Sequence, residues 1–221
     1  MARNSALSSL RRFAGTLMLA ALALAGFASA ADVPGHSVIL VVGDSISAGY
    51  GLPAGQGWTA LLEARLRERG YAYDVVNASI SGDTTAGGRA RLPALLASHK
   101  PAIVVIELGG NDGLRGGDLA ATRANLDAMI EAAQKTRAKV LLVGMQLPPN
   151  YGSAYTARFA ALYPDAAKRH KTALVPFFFE GFGADDALFQ PDRIHPTLAA
   201  QPRLLDNVWP ALEKLLAKPR R

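Results

Sequence analysis

The stretch Ser37-Val-Ile-Leu-Val-Val-Gly-Asp-Ser-Ile-Ser-Ala-Gly-Tyr50 decides the fold. Val38 to Val42 is an unbroken aliphatic run, and Gly43 closes it. A short all-apolar run ended by glycine reads as a strand buried on both faces, the kind found in parallel sheets. Gly43-Asp44-Ser45 then turns the chain, and Ile46 to Tyr50 can begin a helix. Ser45 is thereby placed at the carboxyl end of a central strand, where open α/β sheets hold their ligands. Its backbone N–H, at the start of a helix, is free to meet an anion. A hydroxyl in that setting suits a nucleophile. Taken alone, strand–Gly–x–Ser reads first as an ordinary helix N-cap, and the rest of the chain alters that reading.

Strands and helices alternate downstream. Trp58 to Arg69 carries apolar residues at Trp58, Leu61, Leu62 and Leu66 and stops at Gly70, as an amphipathic helix does. Tyr73 to Ala78 reads as a second strand, and Asp83 can cap a helix ending at His99. Ala102 to Leu108 is a third, fully apolar strand closed by Gly109-Gly110. Asp118 caps a long helix to about Arg137, with Leu119, Leu126, Met129, Ile130 and Ala133 inward. Val140 to Val143 and Ala173 to Val175 are further strands. Tyr155 to His170 is helical in period, with Pro164 expected to divide it. Thr197 to Leu216 closes the chain as a helix interrupted or kinked at Pro202 and Pro210. Alternation of this kind predicts βαβ units with right-handed crossovers: a three-layer α/β/α sandwich on a five-stranded parallel sheet.

The chain has 221 residues, half of them hydrophobic, and suits one globular domain. Its first 30 residues stand apart. Arg3, Arg11 and Arg12 precede the apolar, Ala- and Leu-rich run Phe13 to Phe27, and Ala28-Ser29-Ala30 supplies a small-x-small cleavage pattern. That segment, 1–30, reads as a signal peptide and 31–221 as the mature domain, with no stable membrane anchor after cleavage. The pair Arg11-Arg12 hints at twin-arginine export, although its flanks fit that pattern poorly. Loss of three arginines and no acid lowers the formal charge from +6 to +3. The chain has no cysteine, so disulfides and a lipid-modified N-terminal cysteine are excluded. No Lys/Arg run is interleaved with aromatics, and no nucleic-acid site is read.

Three strands end in Gly/Asn/Asp/Ser motifs: Gly43-Asp44-Ser45, Asn77-Ala-Ser-Ile-Ser-Gly-Asp-Thr84, and Gly109-Gly-Asn-Asp-Gly113. Adjacent parallel strands bring these loops to one rim. Asp192-Arg-Ile-His-Pro196 follows near the C-terminus, and its spacing lets Asp192 meet His195 across one turn. No His/Asp/Glu cluster has metal spacing, and no Walker lysine follows Gly109-Gly110.

Together the four blocks resemble the SGNH, or GDSL-like, hydrolase family, whose blocks carry Ser, Gly, Asn and His in that order. The resemblance runs from Val38 to about Trp209. It looks closest to the small periplasmic acyl-CoA thioesterase/lysophospholipase/arylesterase branch, through Asn77–Thr84, Arg91-Leu-Pro-Ala-Leu-Leu96, Glu107-Leu-Gly-Gly-Asn-Asp-Gly-Leu-Arg-Gly116 and Ile194-His-Pro196. The first block has Ile46 where the family pattern has Leu. The resemblance implies a flavodoxin-like sheet and a secreted or periplasmic serine hydrolase of acyl esters and thioesters, with no cofactor. It implies Ser45 as nucleophile, His195 as general base and Asp192 as its orienting carboxylate. It also implies an oxyanion hole of the Ser45 and Gly82 backbone N–H groups and the Asn111 amide. Leu147 and Pro148, after the fourth strand, are expected to line the acyl site. Phe177, Phe178, Phe179 and Phe182 follow the fifth strand, at least two of them as core. Asp44 and Asp112 are expected to hold loops by hydrogen bonds, and His99 and His170 to lie on the surface at helix C-termini. The same scaffold also serves carbohydrate O-deacetylases, and a catalytically inactive lipid- or glycan-binding protein is the further alternative.

Overall fold

A computed structural model describes residues 36–219, so the expected signal peptide lies outside the described residues. The chain runs β1 (Ser37–Gly43), α1 (Ser45–Ala48), α2 (Trp58–Glu68), β2 (Tyr73–Asn77), α3 (Thr85–His99), β3 (Ile103–Glu107), α4 (Gly110–Leu114), α5 (Leu119–Lys135), β4 (Lys139–Val143), α6 (Ser153–His170), β5 (Ala173–Val175) and α7 (Gln201–Glu213). All five strands are parallel in the order β2-β1-β3-β4-β5. This is the flavodoxin-like order. β1 and β3 are apolar runs because both their faces are covered; Ile39 to Val42 and Ile103 to Ile106 are fully buried. α2 packs on α7, while α3 packs on α5 and α5 on α6, giving the two helical layers.

The order has a consequence for position. From β1 the chain goes outward to β2, then crosses back to β3 on the other side of β1. The loops after β2, β1 and β3 therefore lie side by side at the carboxyl rim, at the point where the strand order reverses. Those loops carry Gly82, Ser45 and Asn111.

Some local expectations give way to packing. Pro164 does not divide α6, because Phe159, Leu162, Tyr163, Ala166 and Ala167 form one buried stripe on both sides of it. That burial offsets the roughly 3 kcal/mol that an interior proline costs a helix. Pro210 stays inside α7 for the same reason, between buried Trp209 and Leu212. Pro202 does not interrupt α7; it stands in its first turn, where its missing N–H has no helical acceptor. α3 is capped by Thr84, whose hydroxyl accepts from the Gly87 N–H at 3.3 Å, not by Asp83, whose carboxylate is held by Arg91. Phe178 and Phe182 are buried, as expected of two of the four phenylalanines. His170 is mostly buried, its Nε2 2.9 Å from Asp127 Oδ1, and is not the free surface residue expected. Among the described residues no helix is long and apolar enough to cross a membrane.

Candidate active site

The site starts from the way β1 ends. A Cβ at Gly43 would lie 2.7 Å from Glu107 Oε2 and 2.8 Å from Ser47 Cβ, so only glycine lets the chain pass there. Asp44, not Ser45, is the N-cap of α1: its Oδ1 accepts from the Ile46 N–H at 3.0 Å. This frees the Ser45 hydroxyl from capping. α1 is pinned from below. The Ser47 hydroxyl donates to Glu107 Oε2 at 2.6 Å and accepts from Trp58 Nε1–H at 3.1 Å, and Asn77 Nδ2–H donates to the Ser47 carbonyl at 2.7 Å.

Ser45 is 8% exposed, and its Oγ lies 2.8 Å from His195 Nε2. His195 Nδ1 lies 2.7 Å from Asp192 Oδ2. The other oxygen of Asp192 accepts from the Ile194 and His195 backbone N–H groups at 2.9 and 3.0 Å. Arg193, at φ 58°, makes the turn that brings these N–H groups around. Burial acts to raise the Asp192 pKa, but the His195 N–H and ring, the Ile194 N–H and the His195 charge outweigh it and bring it to about 2. Asp192 is thus ionised at neutral pH and can only accept. The Nδ1 proton must then lie between ring and carboxylate, leaving Nε2 as an acceptor for the Ser45 O–H. The Tyr50 ring lies 4.5 Å from the His195 ring, and Gln190 joins the two segments: its backbone N–H donates to the His195 carbonyl at 2.7 Å and its Nε2–H to the Tyr50 carbonyl at 2.8 Å.

Gly82 sits in the turn Ile80–Asp83, closed by the Asp83 N–H to Ile80 O bond at 3.1 Å, with φ 79°. A Cβ there would meet nothing nearer than an Arg115 guanidinium nitrogen at 3.9 Å. Backbone conformation, not crowding by protein, specifies the glycine. Among the described residues neither the Ser45 nor the Gly82 backbone N–H donates to a protein group. Both are open donors at the rim.

Asn111 is placed differently from these. Its Nδ2 donates to Asp44 Oδ2 at 3.1 Å and to the Asp83 carbonyl at 2.9 Å, so both amide protons are engaged. It ties the loop after β1 to the loop after β2. Asp44 is 3% exposed, and burial raises its pKa to about 6 against the lowering effects of the Ile46 N–H, the His195 charge and Asn111. Glu107 beneath it is fully buried; burial, and then the charge of Asp44, push its pKa well up. Asp112 holds the start of α3, accepting from the Thr85 N–H at 2.9 Å and from its hydroxyl.

Leu147 is 9% exposed and belongs to the core, where it packs against Gly113. Pro148 is exposed. The exposed large apolar side chains among the described residues are Tyr50, Ile80, Ile194 and Leu198. Each stands within five residues of Ser45, Gly82 or His195. Sequence spacing did not mark Tyr50, Ser47, Glu107 or Arg91, whose partners are distant in the chain.

A serine hydroxyl on an imidazole, a carboxylate behind that imidazole and two open N–H groups beside the hydroxyl form an arrangement suited to acyl transfer. Residues 41–201 match the model of the GDSL-like Lipase/Acylhydrolase family. The chain belongs to that family. It is accordingly an acyl hydrolase. It is 63% identical over 178 residues to Esterase TesA of Pseudomonas aeruginosa, covering 80% of this chain and 89% of that one. It is 43% identical over 189 residues to Thioesterase 1/protease 1/lysophospholipase L1 of Escherichia coli K12, covering 86% and 87% of the two. The crystal structure of a TesA superposes with a TM-score of 0.80 at 62% identity, over 81% of this chain and 100% of that one.

Proposed function

We propose that this acyl hydrolase is an exported serine esterase and thioesterase that works through an acyl-enzyme. The observation that carries the reading is the unbroken line from Ser45 Oγ to His195 Nε2 at 2.8 Å and from His195 Nδ1 to Asp192 Oδ2 at 2.7 Å. Ser45 Oγ attacks the acyl carbon while its proton passes to His195 Nε2. The carbonyl oxygen becomes an oxyanion that the Ser45 and Gly82 N–H groups meet. His195 then gives its proton to the leaving alcohol or thiol, and the C–O or C–S bond breaks. Water repeats the sequence: its proton goes to His195, its oxygen attacks the acyl-serine, and the proton returns to Ser45 Oγ as the acid leaves. Asp192 stays ionised throughout and stabilises the imidazolium. Asn111 contributes its amide to the oxyanion by turning one N–H away from Asp44 Oδ2, its partner at 3.1 Å in the resting site.

The apolar side chains of Tyr50, Ile80, Ile194 and Leu198 favour an acyl group of several carbons over acetyl alone. Names of the relatives agree in kind: esterase, thioesterase and lysophospholipase. Export rests on Arg3, Arg11 and Arg12, the run Phe13 to Phe27 and Ala28-Ser29-Ala30. A chain-length series of p-nitrophenyl esters, run beside acyl-CoA and lysophospholipid, tests the substrate class. Turnover that is greatest at acetyl and falls steadily with each added carbon would sink the acyl-chain reading and favour a carbohydrate deacetylase. N-terminal sequencing of the periplasmic fraction tests export, with a start near Ala31 expected and a full-length membrane-bound chain contradicting it.

A further inference from the structure

We infer that Arg91 is a positioning residue that sets the spacing of the two open oxyanion donors; the inference rests on the proposed acyl transfer at Ser45. Arg91 stands on α3 with its side chain about one-fifth exposed. Its Nε–H donates to Asp83 Oδ2 at 2.7 Å, one terminal nitrogen donates to the Ala78 carbonyl, and the other donates to the Gly43 carbonyl at 3.3 Å. One planar group thus holds the end of β1 just before Ser45 and both flanks of the turn that carries Gly82. The Ile80 N–H to Gly43 O bond at 3.1 Å, the Arg115 bond to the Gly82 carbonyl at 3.1 Å and the Asn111 bond to the Asp83 carbonyl at 2.9 Å also hold that turn. None of these three reaches both flanks, Ala78 and Asp83, as Arg91 does.

The site is shaped for this grip. Asp83 folds its carboxylate over the first turn of α3, where a Cβ at Gly87 would come within 1.9 Å of Asp83 Oδ1. The Asp83 side chain is 11% exposed and its carboxylate is paired with Arg91, so removing Arg91 leaves a largely buried carboxylate without its cation. A lysine could neutralise Asp83 but has no fork with which to reach two carbonyls as well. Oxyanion donors act only when aimed at the transition-state oxygen, and a displacement on the order of 1 Å lowers rate by about 100-fold.

Three variants separate positioning from charge neutralisation. Arg91→Met removes the grip and leaves Asp83 unpaired. Asp83→Asn/Arg91→Met removes the unpaired charge as well. Arg91→Lys keeps the charge and loses the fork. In all three, kcat is expected to fall about 10- to 100-fold with KM within about twofold, while melting temperature recovers toward wild type in the second and third. The Ser45 and Gly82 amide resonances are expected to shift in Arg91→Lys, a readout independent of turnover. If Arg91→Met does not fold, the other two carry the test. A return of kcat to within about twofold of wild type in the double variant, or unmoved Ser45 and Gly82 amides in Arg91→Lys, overturns the inference. Wild-type turnover in Ser45→Ala would instead overturn the acyl-transfer reading, so the two failures are distinct.

Discussion

Asn111→Ala removes two hydrogen bonds at once, and both have a calculable consequence. The bond to Asp44 Oδ2 ends on a carboxylate that is 3% exposed; the bond to the Asp83 carbonyl ends on a neutral acceptor. A hydrogen bond to a charged group contributes about 1.5–3 kcal/mol and a neutral one about 0.5–1.5 kcal/mol, so the variant should lose roughly 2–4 kcal/mol of stability. For a domain of this size that lowers the melting temperature by roughly 5–15 °C. Asp44, deprived of a donor to its charged form, should also titrate at a higher pH than its present value of about 6. If one Asn111 N–H moves to the oxyanion during reaction, kcat should fall about 100- to 1000-fold with KM nearly unchanged. The assay is steady-state hydrolysis of a p-nitrophenyl ester well below the variant's melting temperature, beside a thermal melt. A drop in melting temperature with kcat within about threefold of wild type would refute the oxyanion role and leave Asn111 as a tether alone. The melt by itself does not discriminate, because the tether exists in either case.

Ser45→Ala and His195→Ala should each abolish nearly all turnover, with the double variant little worse than either, since the residues act as a unit; additive losses in the kinetics would contradict this. Asp192→Asn should be milder than His195→Ala and is checked on the same substrate. Glu107→Gln tests the buried carboxylate beneath α1. A raised pKa means that the folded state holds its proton where the unfolded chain has released it, so Glu107 stabilises the fold below its unfolded pKa of about 4.5, and this is lost as pH rises through the raised value. Glu107→Gln keeps an acceptor for the Ser47 hydroxyl, so its melting temperature should decline less steeply than wild type between about pH 5 and 8. Parallel curves from thermal melts would show that folded and unfolded chains hold the same proton occupancy at Glu107 there, against a raised pKa.

What the sequence disclosed, and what it did not, follows from the range of the interactions concerned. β1, β3 and β4 are legible because continuous apolar runs are buried on both sheet faces, a property of neighbouring residues. The cap at Asp118 is likewise local: its carboxylate meets the Ala120 N–H at 2.8 Å. The four motif blocks place Ser45, Gly82, Asn111 and His195 at one rim because adjacent parallel strands must end together. Asp83 is not the cap its position suggests, because its partner, Arg91, lies eight residues on and also reaches Gly43, 48 residues back. The tether role of Asn111 was hidden for the same reason, with Asp44 67 residues away. Pro164 shows only its local cost in the sequence, and a buried stripe along α6 outweighs it. Leu147 looked like a groove wall and became core because Gly113, from another loop, leaves room for it.

The nucleophile assignment of Ser45 is tested most directly by intact and peptide mass spectrometry after treatment with a fluorophosphonate. One adduct per chain is expected, located on the peptide containing Ser45, absent in Ser45→Ala and much slowed in His195→Ala, with turnover lost in proportion to labelling. An unlabelled but folded wild-type chain, or an adduct on another residue with turnover lost, would contradict the assignment.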